Sequence, residues 1–198
     1  MILKFKIFEK EFISMRNKEL DFLKKHLNET LKEFSEKEEI SISVQIISYI
    51  SGILAEYYRS IPRYLIDINE KDAFRLYKAR GDVSLILVGF FSDWLNRKNR
   101  PLKEEDYINA GKFNYWKAYY YLDKRYGDII KAEKEKDYFH MLNNSFLFID
   151  LFKDISENFE IYTDLLKRYR LESENLSKFF DSFNPARVLI FEKLFKNK

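Results

Sequence analysis

Residues Arg80 to Trp94 read Arg-Gly-Asp-Val-Ser-Leu-Ile-Leu-Val-Gly-Phe-Phe-Ser-Asp-Trp, the longest densely apolar run in the chain and close to its middle. Such a segment is stable only where other elements cover it on every side, so it is expected to be the hub of a core and not a catalytic loop. What covers it follows from the residues the chain lacks. With only 5 Gly and 3 Pro in 198 residues, there are too few for the many tight turns of a β-sandwich. Helices tolerate that scarcity. The 34% charged residues have interspersed signs, as on the solvent faces of helices. The fold class expected is all-α, a compact bundle of about six to eight helices in a single domain over 1–198.

Aromatic residues are the unusual part of the composition, with 19 Phe, 14 Tyr and 2 Trp. A buried ring removes about 150–250 Å² from water, so a few rings per helix can set the packing. Each Tyr also carries a hydroxyl that must reach water or a partner. Most are therefore expected at the edge of the core.

Phe12, Met15, Leu20, Leu23, Leu27, Leu31 and Phe34 recur mostly at four-residue steps and predict an amphipathic helix over about 8–36. Ile40 to Ile46 alternates with period two. Ile47, Ile50, Leu54 and Tyr58 then continue at helical spacing, so a helix over about 43–60 is preferred, capped by Ser43 or Ser41 and ended by Pro62. Asn69 reads as the N-cap of a helix over about 70–88, with Gly89 permitting a turn before a short segment at 93–97 capped by Ser92. Residues 96–103, with Pro101, form the clearest loop, placed within one domain. Glu104 to Tyr126 is a strong helix, with Gly127 as a C-cap. It carries a stripe of Tyr107, Gly111, Tyr115, Tyr119 and Leu122, with Phe113, Trp116 and Tyr120 beside it. One or two helices follow over 128–158, with Phe139, Leu142, Phe146, Ile149 and Phe152 inward. A last long helix over 162–183 stops near Pro185, and residues 186–198 can form a further short one.

Several function classes are excluded or disfavoured. There is no Cys, hence no disulfide framework, thiolate zinc site or thiol nucleophile, which fits a reducing, cytoplasmic compartment. A net charge of +3 is too small and too evenly spread for a nucleic-acid footprint. Met1 to Lys10 lacks a leader's apolar stretch, and the longest uncharged run, Ile40 to Ala55, is 16 residues with four Ser and a Gln. A spanning helix wants about 20 mostly apolar residues, so no membrane association is expected. No nucleophile elbow or phosphate loop occurs. The two His, His26 and His140, lack the Glu-x-x-His spacing of a di-iron bundle, so no metal and no cofactor is expected. Glu104, Glu105 and Asp106 fit the helix dipole better than acid–base chemistry.

The candidate site residues are Arg80, Asp82, Phe90, Phe91, Trp94, Tyr107, Gly111 and Tyr115. A buried Asp82 must be paired or hydrogen-bonded. It either ties a helix kink or a Tyr or Arg, such as Arg75, or it is the polar element of a pocket walled by Phe90, Phe91, Trp94 and Tyr115. Gly111 either admits a neighbouring helix between Tyr107 and Tyr115 or opens space for a flat or acyl ligand. Arg80-Gly81-Asp82 is not read as an adhesion tripeptide, lying as it does inside an apolar helical segment.

The pattern Gly81-Asp82-x-x-Leu85-x-x-x-Gly89-Phe90-Phe91, followed by Tyr107-x-x-x-Gly111-x-x-x-Tyr115, resembles a family of uncharacterised bacterial all-helical proteins. Phe146 to Glu157 resembles the family's aromatic and aliphatic segment, and Tyr162 to Phe180 its last helix. The likeness spans about 43–183. Ser92-Asp93 departs from the family's common Pro-Glu, and the first 40 residues match nothing in it. The resemblance implies an intracellular, mainly helical bacterial protein and supplies no catalytic residues. Three functions follow as expectations: a non-catalytic protein acting through self-association or another protein; a small apolar or aromatic ligand-binding module near Asp82, Phe91 and Tyr115; and an enzyme using Asp82 with a Tyr or Arg.

Overall fold

The computed structural model describes the backbone of residues 2–59, 72–134 and 143–172, and the side chains of residues 18–56, 72–126 and 149–172. Six helices and no strand occur among the described residues: α1 (Ile2–Lys37), α2 (Val44–Arg59), α3 (Ala73–Leu95), α4 (Glu104–Lys134), α5 (Asn143–Glu157) and α6 (Phe159–Glu172). The fold is all-α, as the scarcity of Gly and Pro requires. The chain divides into two compact units, Met1–Ile61 and Pro62–Lys198. The 96–103 loop lies within the second.

In the first unit α1 packs on α2. Leu27, Leu31 and Phe34 of α1 are buried, as are Ile46, Ile47, Ile50, Ile53 and Leu54 of α2. These are the helical spacings read from the sequence. The end of α1 is set by Glu39, whose φ of 56° is left-handed. That turn lets the Ile40 N–H donate to the Ser35 carbonyl at 2.9 Å and the Glu39 N–H to the Glu36 carbonyl at 3.2 Å. The pair of bonds closes the helix without a glycine. Ser43 caps α2: its Oγ accepts from the Ile46 N–H at 3.3 Å.

In the second unit α3 is the hub. It packs most extensively on α4 and also on α6, while α5 lies on α4. Ala79 and every residue from Gly81 to Phe91 are buried. The start of α3 differs from expectation. Asp72, not Asn69, is the N-cap, its Oδ1 accepting from the Phe74 N–H at 3.0 Å. Its far end differs too. The helix runs through Gly89 to Leu95, and the irregularity falls at Phe91 (φ −130°, ψ 25°). Arg170 of α6 donates to the Phe90 carbonyl at this kink. Gly89 serves close packing instead of a turn: a Cβ there would stand 2.7 Å from Leu166 Cβ.

The N-terminus of α4 is closed by its acids, as the helix dipole favours. Asp106 Oδ2 accepts from the Lys103 N–H at 2.7 Å, Glu104 accepts from Asn96 Nδ2 at 2.7 Å, and Glu104 also pairs with Lys167. The helix does not stop at Gly127, which takes helical geometry and continues to Lys134. A helical Gly costs about 1 kcal/mol relative to Ala, too little to end a helix by itself. Pro62, Asn69, Phe139, Leu142 and Pro185, the side chains of Phe12, Met15 and Phe146, and the expected segments beyond Glu172 lie outside the described residues.

Candidate functional site

Asp82 lies on the face of α3 turned toward α4, and the residue is 0% exposed. A carboxylate in that position must be satisfied by hydrogen-bond donors. Two are present. Tyr115 of α4 donates its hydroxyl to Asp82 Oδ1 at 2.8 Å, and Lys78, one turn earlier on α3, places Nζ 2.7 Å from Oδ2. Lys78 reaches the carboxylate with its head while its stem runs along the helix, its side chain remaining partly solvated. Gly81 makes the approach possible. A Cβ there would stand 3.0 Å from the Tyr115 ring. The Gly81-Asp82 pair thus seats one tyrosine, glycine receiving the ring and aspartate receiving its hydroxyl.

The rest of the candidate set is distributed along the bundle. Tyr115 is fully buried and stacks on Phe152 at 6.1 Å between centroids, with Phe159 at the same distance on a tilted plane. Phe159 also fills the space beside Gly111, where an added Cβ would run into its ring. The glycine therefore admits a neighbouring aromatic side chain, and Tyr107 is buried one turn before it.

Phe90, Phe91 and Trp94 stand further along α3 than Asp82, the partner of Tyr115. Phe90 lies eight residues beyond Asp82 and Trp94 twelve, about 12 and 18 Å along the axis at the helical rise. Phe90 and Phe91 are buried near the kink by α6. Trp94 is covered by Arg100, whose guanidinium carbon lies 3.5 Å from the ring centroid. Arg75, considered as a partner for Asp82, is exposed. Arg80 is half-buried, and its Nε is buried without a hydrogen-bond partner. Lys78 was missed from the sequence, although its four-residue spacing from Asp82 is the signal for such a pair. Phe152 and Phe159 carry no local signal pointing to Tyr115.

A second aromatic group lies on the opposite face of α4. Phe113, Trp116 and Tyr120 are 43%, 46% and 42% exposed. Trp116 stacks on Tyr120 at 5.8 Å, Tyr120 meets Tyr121 edge-on at 5.6 Å, Tyr121 stacks on Tyr77 at 5.6 Å, and Tyr77 meets Phe113 edge-on at 6.4 Å. The five rings form one connected ledge from α3 to α4. Lys117 stands over it, its Nζ 5.2 to 5.7 Å from the centroids of Trp116, Phe113 and Tyr120. At this range an ammonium is attracted to the ring faces.

Elsewhere, Tyr162 of α6 donates to Asp154 Oδ1 of α5 at 3.0 Å. Burial, and then the neighbouring Asp154 charge, push its phenol pKa well above the usual value of 10. Among the described residues no group of three or more His, Cys, Asp or Glu could hold a metal ion. Among them, too, no helix is long and apolar enough to cross a membrane. Compared with protein-family models, curated proteins and solved structures, the chain shows no significant match.

Proposed function

We propose that this chain is a non-catalytic helical protein of the bacterial cytoplasm that acts by associating with protein, itself or another, through the aromatic ledge of α4. One observation carries the reading. Three large rings sit more than two-fifths exposed on the helix face turned away from the core, held in a fixed array by each other and by Lys117. Rigid, half-exposed aromatics are the residues that anchor protein interfaces. The Asp82 region supports the same reading by contrast, since its carboxylate is engaged by Tyr115 and Lys78 and the gap at Gly111 holds the Phe159 ring. The cytoplasmic placement rests on the Cys-free sequence, and the bacterial one on the family resemblance.

The magnitudes say what kind of partner is needed. Covering the exposed parts of three rings removes about 200–350 Å² from water, worth about 5–9 kcal/mol in gross transfer energy. Association itself costs about 4–15 kcal/mol. The ledge therefore needs a partner that contributes comparable apolar surface of its own.

Hydroxyl-radical footprinting tests the proposal. Oxidation of Phe113, Trp116 and Tyr120 is expected to be several-fold slower in cells than in the dilute purified chain. Phe22, which is 74% exposed on α1, serves as the reference and should react alike in both. Equal oxidation of the ledge in both settings would refute the reading.

A further inference from the structure

Resting on the reading of the α4 ledge as an interaction surface, we infer that its partner is a second copy of this chain, docked α4 against α4 in antiparallel orientation about a two-fold axis level with Tyr115. The argument begins with charge. Asp106 and Lys124 are both exposed and stand 18 residues apart. That separation is five turns of an α-helix, so the two lie on one line along it, about 27 Å apart. Phe113 and Lys117 lie near the same line, two residues either side of Tyr115.

Reversing a second α4 about that midpoint exchanges these positions. Asp106 of each copy meets Lys124 of the other, and Phe113 of each meets the other's Lys117, with Trp116 and Tyr120 packed between. Lys117 already lies 5.5 Å from the Phe113 ring of its own chain, so the second copy repeats an interaction the helix makes with itself. The second copy also doubles the number of rings buried. Parallel docking would instead set Asp106 against Asp106 and Lys124 against Lys124. Asp106 and Lys124 each stand nine residues from the axis, so both ion pairs form only at a shallow crossing of about 20°; a crossing of about 50° would splay them apart. The contact uses one patch on both copies and closes as a dimer, with no surface left to propagate a filament. A nucleic-acid strand fits less well, because the exposed Asp106 and Asp123 share α4 with the exposed Lys124 and the half-buried Lys117.

Sedimentation velocity of the full chain over a concentration series tests the inference. The unmodified chain should dimerise. Lys124→Glu and Asp106→Lys should each weaken the dimer at least about tenfold, equal to about 1.4 kcal/mol. Mixing the two variants should restore dimerisation, because each cross-pair is then attractive. Asp106 also caps α4, so thermal melts accompany each variant. If Asp106→Lys does not fold, Asp106→Asn keeps a capping oxygen and should relieve the Lys124→Glu defect in the double variant. Single variants that dimerise normally, or a mixture that does not recover, would overturn the arrangement. A chain that stays monomeric into the millimolar range while the ledge is protected in cells would overturn the second-copy partner and leave the interaction reading standing. Monomer without protection would overturn both.

Discussion

Replacing Gly89 by Ala tests whether α3 and α6 meet with no room for a methyl group. The new Cβ would stand 2.7 Å from Leu166 Cβ and 3.0 Å from its Cδ1. Comfortable carbon–carbon contact lies at about 3.5–4.0 Å. A Cβ moves only with its backbone, so no rotamer change of Leu166 relieves the clash, and α6 must retreat by about 1 Å. Leu166 is 0% exposed, leaving no solvent side to yield into. Overpacking of this kind costs about 1–3 kcal/mol, and Ala returns up to about 1 kcal/mol of helix propensity. The anchored neighbour puts the expected net loss at about 1–2 kcal/mol. Urea unfolding followed by tryptophan emission reads it, because both tryptophans, Trp94 and Trp116, lie in the second unit. Gly52→Ala is the control of opposite sign. Its Cβ would lie 3.5 Å from Lys24 Cε, an ordinary contact. Propensity then acts alone and stabilises by about 0.5–1 kcal/mol, measured by far-ultraviolet circular dichroism. If Gly89→Ala stabilised the protein as Gly52→Ala does, the close approach of α3 and α6 would be refuted.

Tyr115→Phe keeps the ring and removes the hydroxyl that Asp82 accepts; hydrogen bonds to charged groups are worth about 1.5–3 kcal/mol, and the loss should appear in full in the same urea assay. A loss under about 0.5 kcal/mol would show that Lys78 and water satisfy the carboxylate without it. Tyr162 gives a pH dependence of definite sign. Its pKa is raised in the folded chain, so its contribution is complete below the unfolded value of 10 and is lost as pH rises above that value toward the folded one. Alkaline unfolding should be shallower in Tyr162→Phe; identical profiles would mean that the phenol ionises alike in both states.

How much was legible depended on whether the signal was local. The stripe Tyr107, Gly111, Tyr115, Tyr119 and Leu122 was readable because residues at these spacings share one helix face whatever packs on it; Tyr119, at its edge, is half-buried and the other four are buried. The same rule puts Phe113, Trp116 and Tyr120 across from that stripe and not beside it, so the exposed ledge could have been found from phase alone. Gly89 and Gly127 were misread as punctuation. Glycine permits a turn and does not compel one; both lie inside helices, Gly89 at a close approach to Leu166. The spacing along α3 was readable too, since Phe90 and Trp94 lie about two and three turns beyond Asp82. The occupant of the space at Gly111 was not readable at all, because Phe159 arrives from 48 residues away.

The polar contacts of α6 bear on the order in which the second unit can be completed. Glu160 pairs with Lys112, Lys167 with Glu104, and Arg170 holds the Phe90 carbonyl at the kink. These ties span 48, 63 and 80 residues, and each links α6 to a helix made earlier. During synthesis α3 and α4 emerge long before the residues that fasten them. The last turn of α3, which carries Trp94, gains its tie to Arg170 only once α6 has been made. A chain halted before residue 170 would lack that latch.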